Sequence, residues 1–181
     1  MSRPKSFSLP SRVLHWLMAV MILTMLFIGV LMASTVGPNY SRLVTLHRPL
    51  GIAILLLALL RLANRLSSPP PALPEELPLI MKFAAKASHV LLYALMITMP
   101  LIGWGMLSAG GYPFPLWGRS MLLPPILPHD PALWAWLRSA HTVLAFLLFG
   151  LVLLHIGAAL FHGLIRQDGV LRSMLLSGRR L

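Results

Sequence analysis

Long apolar runs alternate with short polar segments along most of the chain. Four such runs lie at about 13–33, 41–62, 87–107 and 139–165. Each is close to or above the roughly 20 residues that a helix needs to span a bilayer. The first, VLHWLMAVMILTMLFIGVLMA, is too long for a signal-peptide core and has no convincing cleavage site. The second contains Arg48 and Pro49, and this proline is expected to kink the helix or to mark its first turn. The pattern predicts an all-α integral membrane four-helix bundle that forms a single domain over residues 1–181.

The composition is that of a membrane protein. Of the 181 residues, 57% are hydrophobic and 10% are charged, and the mean hydropathy is +0.81. Because the chain has no cysteine, disulfides, thiolate metal ligands and thiol redox chemistry are excluded, and any redox function requires a bound cofactor. The net charge of +11 does not indicate a nucleic-acid partner, since the basic residues lie between apolar runs and form no single basic face.

The distribution of lysine and arginine predicts the orientation of the helices. Eleven of the fifteen basic residues lie near the two chain termini or between the second and third runs. Cytoplasmic segments are enriched in lysine and arginine, so both termini are expected in the cytoplasm. The basic residues on the opposite, outer side are Arg42, Arg48, Arg119 and Arg138.

Two histidines bound the apolar stretch HTVLAFLLFGLVLLH, which runs from His141 to His155. Fourteen helical residues rise about 21 Å and make nearly four turns, so both side chains project from one face at opposite membrane depths. His15 near the start of the first helix is level with His155, and His47 near the start of the second is level with His141. Two inward-facing pairs at two depths are the arrangement that two bis-histidine hemes require.

Other interpretations of these histidines remain open. A lone histidine inside a membrane is more often an interhelical hydrogen-bonding residue than a ligand. A two-metal centre would need ligands a few ångströms apart and normally carboxylates, and a proton-coupled transporter usually has an intramembrane acid. No spanning run contains Asp or Glu. Gly29, Gly51 and Gly150 lie where a macrocycle would need space, although small residues are also common at ordinary helix contacts.

Five short motifs in a fixed order cover nearly the whole chain: RVLHWLM, VTLHRPLGI, ASHVLLYALMITMPLIG, SAHTVLAF and LLHIGAALFHGLIRQDGVLR. Together they resemble the bacterial cytochrome b561 family and, within it, the superoxide oxidase group. The resemblance implies a multi-pass diheme cytochrome of the bacterial inner membrane. In this family, His15 and His155 would ligate a cytoplasmic heme b, and His47 and His141 would ligate an outer heme b.

The same resemblance implies an enzymatic activity. Superoxide would be oxidised to dioxygen at the outer face, and the electrons would pass through both hemes to ubiquinone near the cytoplasmic side. A looser similarity extends to the cytochrome b subunits of formate dehydrogenases and nickel–iron hydrogenases. The alternative is therefore a membrane anchor that transfers electrons between quinone and a partner dehydrogenase or hydrogenase. The short tails favour a stand-alone protein in lipid, with no obligate protein partner.

The outer arginines are candidates for a role in catalysis. With Asp130 as the only outer acid, they give the outer side a formal charge of +3, which would steer a small anion towards the outer heme. Arg48 and Arg138 could instead pair with heme propionates, and we expect this for at least one of them. Arg119 lies farther along the outer loop. His129, in PPILPHDP, is a candidate proton donor or channel residue, and an exposed loop histidine is the simpler interpretation.

The remaining histidines lie near the cytoplasmic interface and are candidates for the quinone site. His162 follows His155 by about two helical turns on nearly the same face. A quinone needs hydrogen-bond partners and a route for protons when it is reduced, which His89 and His162 could supply. His89 could also pair with a propionate, bridge helices or replace His15 as a ligand. Nearby polar candidates for the quinone site are Lys82, Lys86 and Ser8.

Overall fold

The structure, a computed structural model, describes residues 6–74, 76–116 and 122–175 and consists mainly of four long helices. The helices are α1 (Leu9–Ser34), α2 (Pro38–Ser67), α3 (Leu79–Ala109) and α4 (Pro131–Leu160). A π-helical turn (Phe161–Arg166) continues α4, and a 3-10 turn (Arg172–Met174) follows it. All four helices are long and apolar enough to cross a membrane. The predicted all-α four-helix membrane fold is confirmed.

All four helices begin earlier than the predicted apolar runs. Helix α4 starts at Pro131 instead of about residue 139, since the Asp130 side chain accepts hydrogen bonds from the backbone N–H groups of Ala132 (2.9 Å) and Leu133 (3.0 Å). Helix α3 starts at Leu79 instead of about residue 87, directly after Pro78 and without a side-chain cap. The added turns, LIMKFAAK in α3 and PALWAWLR in α4, each carry lysine or arginine and are helical as well, so the predicted runs mark only the central part of each helix.

Pro49 lies inside α2, so the expectation that it could mark the first turn is wrong. The helix begins at Pro38, directly after Gly37, whose φ of 71° lies in the left-handed region that favours glycine. Arg48 also lies within the helix, and its side chain reaches the loop carbonyl of Pro113 at 3.5 Å. The polar interruption in the sequence therefore does not interrupt the helix.

Helices that follow each other in the chain make the closest backbone contacts: α1 with α2, α2 with α3, and α3 with α4. The core contains side chains from all four helices, including Met18, Ile22, Ile54, Ala58, Met96, Met99, Leu148 and Val152. Large apolar side chains also cover the outside of the bundle; Phe27 is 69% exposed and Phe146 is 74% exposed. A helix that is apolar on all sides suits a lipid environment.

The bundle has two distinct ends. We call the end where α1 begins and α4 finishes the terminal end. There the chain after α4 folds back onto α1, where Trp16 Nε1 donates to the Met174 carbonyl (2.8 Å) and Arg12 Nη1 donates to the Leu175 carbonyl (2.9 Å). Both described ends of the chain therefore lie on one side, as predicted, and the assignment of that side to the cytoplasm stays a prediction.

We call the opposite end the loop end. It contains the short connection between α1 and α2 and the longer segment between α3 and α4, in which β1 (Phe114–Pro115) pairs antiparallel with β2 (Leu122–Leu123). Trp104 Nε1 donates to the Pro124 carbonyl (2.9 Å), and the Ser108 hydroxyl accepts from the Ile126 N–H (3.1 Å). These bonds hold the described part of the longer segment against the end of α3.

Candidate heme-binding site

His47 on α2 and His141 on α4 meet near the loop end. Their ring centres are 6.1 Å apart, and the ring planes are inclined by 65°. A metal atom between two imidazoles needs two bonds of about 2.0–2.1 Å, and with about 1.1 Å from each nitrogen to its ring centre this places the centres about 6.3 Å apart. The observed separation therefore matches that of two axial ligands.

His15 on α1 and His155 on α4 form the same arrangement at the terminal end. Their ring centres are 6.2 Å apart and their planes are inclined by 76°. Helix α4 contributes one histidine to each pair, about 21 Å apart along its axis. The structure thus brings together both pairs predicted from helical depth, and their role as heme ligands stays a prediction.

His89 on α3 also contacts His155, with ring centres 5.6 Å apart. This separation is shorter than the roughly 6.3 Å expected for two ligands of one metal atom, whereas the 6.2 Å between His15 and His155 agrees with it. The geometry therefore favours His15 over His89 as the partner of His155.

Two histidines face each other at each end of the bundle, and at the terminal end His89 also contacts His155. The described residues contain no group of three or more His, Asp or Glu side chains that could hold a bare metal ion. A protein-bound zinc ion needs three or four protein ligands, whereas a heme supplies the equatorial nitrogens and needs only two axial ones. Pairs of histidines therefore fit heme better than a bare metal ion.

Two ring nitrogens near the loop end lack the partner that a buried polar atom usually has. Nδ1 of His47 is buried and has no hydrogen-bond partner among the described residues, and Nδ1 of His141 is buried without a well-formed hydrogen bond. An unpaired buried polar atom is costly and indicates a ligand or another partner. Both rings are therefore suited to a bound group.

Two of the three predicted glycines have open space beside them. A Cβ added at Gly29 or at Gly150 would meet nothing within 4 Å, whereas one at Gly51 would lie 3.6 Å from Met25 Cε, an ordinary packing distance. Gly29 and Gly150 therefore fit the need for room beside a macrocycle, and Gly51 fits ordinary helix packing. On these observations the residues present suit two hemes b.

Three arginines of the loop end, Arg42, Arg48 and Arg138, lie within the described residues. Arg48 contacts the loop carbonyl of Pro113, and the Arg138 guanidinium lies over the Trp134 ring at 5.4 Å from its centre. Arg42 is exposed at the start of α2. Arg119 lies outside the described residues.

Two other polar residues of the loop end have structural partners. Asp130 caps α4, so its carboxylate already accepts two backbone N–H groups. His129 packs against the turn at Gly111, where an added Cβ would lie 3.1 Å from His129 Nδ1. The structure does not bring His129 into contact with the His47 and His141 pair, and a proton-donor role for it stays a prediction.

At the terminal end, His162 is held by an acid that the sequence analysis did not single out. His162 Nδ1 lies 2.6 Å from Asp168 Oδ2, and Arg166 Nε donates to the same oxygen at 3.3 Å. Burial by itself would raise the pKa of Asp168, but the hydrogen bonds from His162, Val170 N–H and Arg166 outweigh it and lower that pKa. Asp168 is therefore a carboxylate at neutral pH and fixes the orientation of the His162 ring.

The other candidates for a quinone site lie on two helices of the terminal end. Ser8 is the N-cap of α1, where its hydroxyl lies 2.9 Å from the Ser11 hydroxyl and accepts from the Ser11 N–H at 3.4 Å. Lys82 lies in the first turn of α3, and Lys86 is exposed one turn later. The structure gives Ser8 a capping role, and the part of these residues in quinone binding stays a prediction.

The sequence analysis also missed two arginines inside the terminal end. Arg61 Nη1 donates to His15 Nδ1 at 2.8 Å. The guanidinium groups of Arg61 and Arg65 lie 5.8 Å and 5.9 Å from the centre of the Tyr93 ring. The sequence analysis treated these arginines only as indicators of topology. Their spacing of four residues, which places them on one face of a helix, was the available signal.

Comparisons with known proteins agree with the paired histidines. The model of the prokaryotic cytochrome b561 family matches residues 6–177. The chain belongs to this cytochrome b561 family. It is therefore a multi-pass bacterial membrane protein of a family of b-type cytochromes that bind heme b and transfer electrons, and the predicted family is confirmed.

Three relatives each cover most of the chain. "Cytochrome b561 homolog 2" of Escherichia coli (strain K12) is 30% identical over 175 residues, which are 95% of this chain and 92% of the relative. "Probable superoxide oxidase CybB" of Yersinia pestis is 31% identical over 131 residues, 72% of this chain and 73% of the relative. "Cytochrome b561 homolog 1" of Escherichia coli (strain K12) is 25% identical over 177 residues, 93% of this chain and 96% of the relative.

Proposed function

We propose that the protein holds two hemes b, oxidises superoxide to dioxygen at the loop end and passes the electrons to ubiquinone at the terminal end. The observation that carries the proposal is the presence of two histidine pairs, with ring centres 6.1 Å and 6.2 Å apart, at opposite ends of α4. Two superoxide anions release two electrons as they become dioxygen. Those electrons and two protons convert one ubiquinone to ubiquinol. When bound, the hemes supply the one-electron chemistry.

The charge of the loop end supports a small anion as the electron donor. Arg42, Arg48 and Arg138 lie there, and Asp130, the one acid among the described residues of that end, is bound to the start of α4. A cationic surface raises the local concentration of anions and their association rate. One relative is named a probable superoxide oxidase, which supports the choice of superoxide. The positive-inside rule supports placing the loop end outside the cytoplasm.

The His162 and Asp168 pair supports a quinone site at the terminal end. Because Asp168 accepts the hydrogen bond from His162 Nδ1, the other ring nitrogen, Nε2, remains for a second partner such as a quinone oxygen. The side chain of His162 is 15% exposed, so the ring is sheltered yet reachable from the interface. A histidine held in this way can orient a quinone and deliver a proton to it.

The direct test is anaerobic titration of the purified protein with superoxide. We expect the absorption of reduced b heme to appear, to be suppressed by superoxide dismutase, and to decay with formation of ubiquinol when ubiquinone is added. An intact diheme protein that superoxide leaves oxidised, but that ubiquinol reduces, would instead support a membrane anchor that needs a partner dehydrogenase.

Replacement of His162 with alanine should separate quinone chemistry from heme binding. We expect both heme spectra to be retained and electron transfer to ubiquinone to slow by roughly tenfold or more, because a hydrogen-bonding and proton-donating group is lost. Stopped-flow oxidation of the reduced protein by ubiquinone measures this rate. His129→Ala at the loop end is the matched control and should leave it unchanged. Loss of heme from His162→Ala would identify a ligand, and unchanged kinetics would exclude His162 from the quinone site.

A further inference from the structure

Two arginines lie close together inside the terminal end of the bundle. Arg61 and Arg65 are one turn apart on α2, both are only partly exposed, and both guanidinium groups lie over the Tyr93 ring. They border a small open pocket that Ser11 and Ser68 also line. Two like charges in this position repel each other and have lost part of their hydration.

No acid offsets these charges within the described part of the chain. The carboxylate of Asp168 pairs with His162 and Arg166, and no described ion pair includes Arg61 or Arg65. Tyr93 offers a cation–π attraction, on the order of 1 kcal/mol for each arginine, and its hydroxyl also interacts with Arg61, but it supplies no carboxylate. A bound anion would stabilise this pair of guanidinium groups far more than the protein itself does.

The contact between Arg61 and His15 indicates which anion. A guanidinium can only donate, so His15 Nδ1 must accept, and the ring proton must then be on Nε2. A histidine ligand of a metal instead binds through an unprotonated nitrogen and usually donates the other N–H to an acceptor. If His15 binds iron through Nε2, Nδ1 carries the proton and can no longer accept from Arg61. Arg61 then needs a new acceptor within reach of His15.

We infer that Arg61 and Arg65 bind the carboxylate groups of the heme held by His15 and His155, and that Arg61 exchanges His15 for a propionate when this heme is present. The inference rests on the proposed function only in requiring a heme at the terminal end. Forked guanidinium groups match carboxylates in geometry and charge, and the neighbouring serine hydroxyls can complete the site. An anionic lipid headgroup is the competing source of the same chemistry.

The midpoint potential of the terminal-end heme tests this inference. It is measured by spectroelectrochemical titration in a His47→Ala background that keeps this heme alone. Arg61→Gln and Arg65→Gln should each lower the potential, because an uncompensated carboxylate opposes the addition of an electron to the iron. Arg172→Gln, which removes an exposed charge from the same end of the bundle, is the matched control and should leave the potential nearly unchanged. An unaltered potential in both test variants would overturn the inference.

Heme with esterified propionates identifies the anion. Apoprotein reconstituted with natural heme b should bind it roughly tenfold more weakly when Arg61 is replaced by Gln. With heme dimethyl ester, the wild type and the variant should bind alike, since the carboxylates are absent in both cases. An equal difference with both hemes, or a difference found only in phosphatidylglycerol and not in phosphatidylcholine nanodiscs, would assign the arginines to another anion.

Two further results keep the outcomes distinct. If Arg61→Gln does not fold, Arg61→Lys can replace it, since lysine retains the charge without the planar guanidinium group. Arg61→Lys should show a smaller loss of affinity for natural heme b and no loss of affinity for heme dimethyl ester. A wild-type protein that binds no heme at the terminal end would refute the diheme proposal itself. A diheme protein whose hemes superoxide does not reduce would refute superoxide as the electron donor and would not affect the inference about Arg61 and Arg65.

Discussion

Replacement of His47 with alanine is expected to lower the heme content from two to one per chain and to remove the heme of the loop end. The reason is geometric: the His47 and His141 rings are separated by the distance that one iron atom between two imidazoles requires. A heme with one remaining axial histidine loses affinity and its low-spin, six-coordinate spectrum. The pyridine hemochrome assay counts the hemes, and low-temperature electron paramagnetic resonance reports which low-spin signal disappears.

The companion replacement, His15→Ala, should remove the other heme and leave the His47 signal intact. Two single-ligand variants that each lose a different signal would establish the pairing of the four histidines. His89→Ala discriminates between the alternatives for the terminal end, since we expect it to retain both hemes. Loss of the terminal-end heme from His89→Ala, with its retention in His15→Ala, would transfer the ligand role to His89. One heme per chain in the wild-type protein would contradict the two-pair arrangement altogether.

The histidine pairs could be predicted because they follow from helical periodicity along one segment. Once α4 is known to be a helix, the spacing of His141 and His155 fixes their face and their depth. Matching each to a histidine near the end of another helix then requires only that the helices form a bundle. Hydropathy similarly predicted the four helices but not their ends, since α4 begins at the cap formed by Asp130, two turns before the predicted apolar run.

The contacts of Arg61 and Asp168 could not be predicted in this way. Arg61 reaches His15 across 46 positions of sequence, and that contact depends on how α1 packs against α2. Asp168 reaches His162 because the chain widens into a π-helical turn and then reverses at Gln167, whose φ of 52° is unusual for a residue other than glycine. No spacing rule of a regular helix contains such a reversal. Both residues were visible in the sequence only as charges.

Reduction of the hemes by superoxide should be fast at low salt and should slow as ionic strength rises. The loop end presents arginines to the solvent. Asp130, the one acid among its described residues, accepts hydrogen bonds from the first N–H groups of α4. The surface therefore attracts a small anion. The range of this attraction falls from about 30 Å at 0.01 M salt to about 10 Å at 0.1 M, so the added encounters are lost progressively. Stopped-flow absorption at the reduced heme band, at several salt concentrations, measures the effect.

Arg42→Gln provides the sharpest variant for this test, because Arg42 is exposed at the loop end and makes no contact with the His47 and His141 pair in the structure. At low salt we expect it to slow heme reduction roughly twofold and to flatten the salt dependence, with both heme spectra unchanged. Arg119, outside the described residues, is a second position for the same test. Lys86→Gln removes an exposed charge from the terminal end and is the control, which should leave this step unaffected because the anion arrives at the other end.

A rate of heme reduction by superoxide that is high but independent of salt would exclude electrostatic steering and retain the proposed activity. An intact diheme protein that superoxide does not reduce at any ionic strength would eliminate superoxide as the donor.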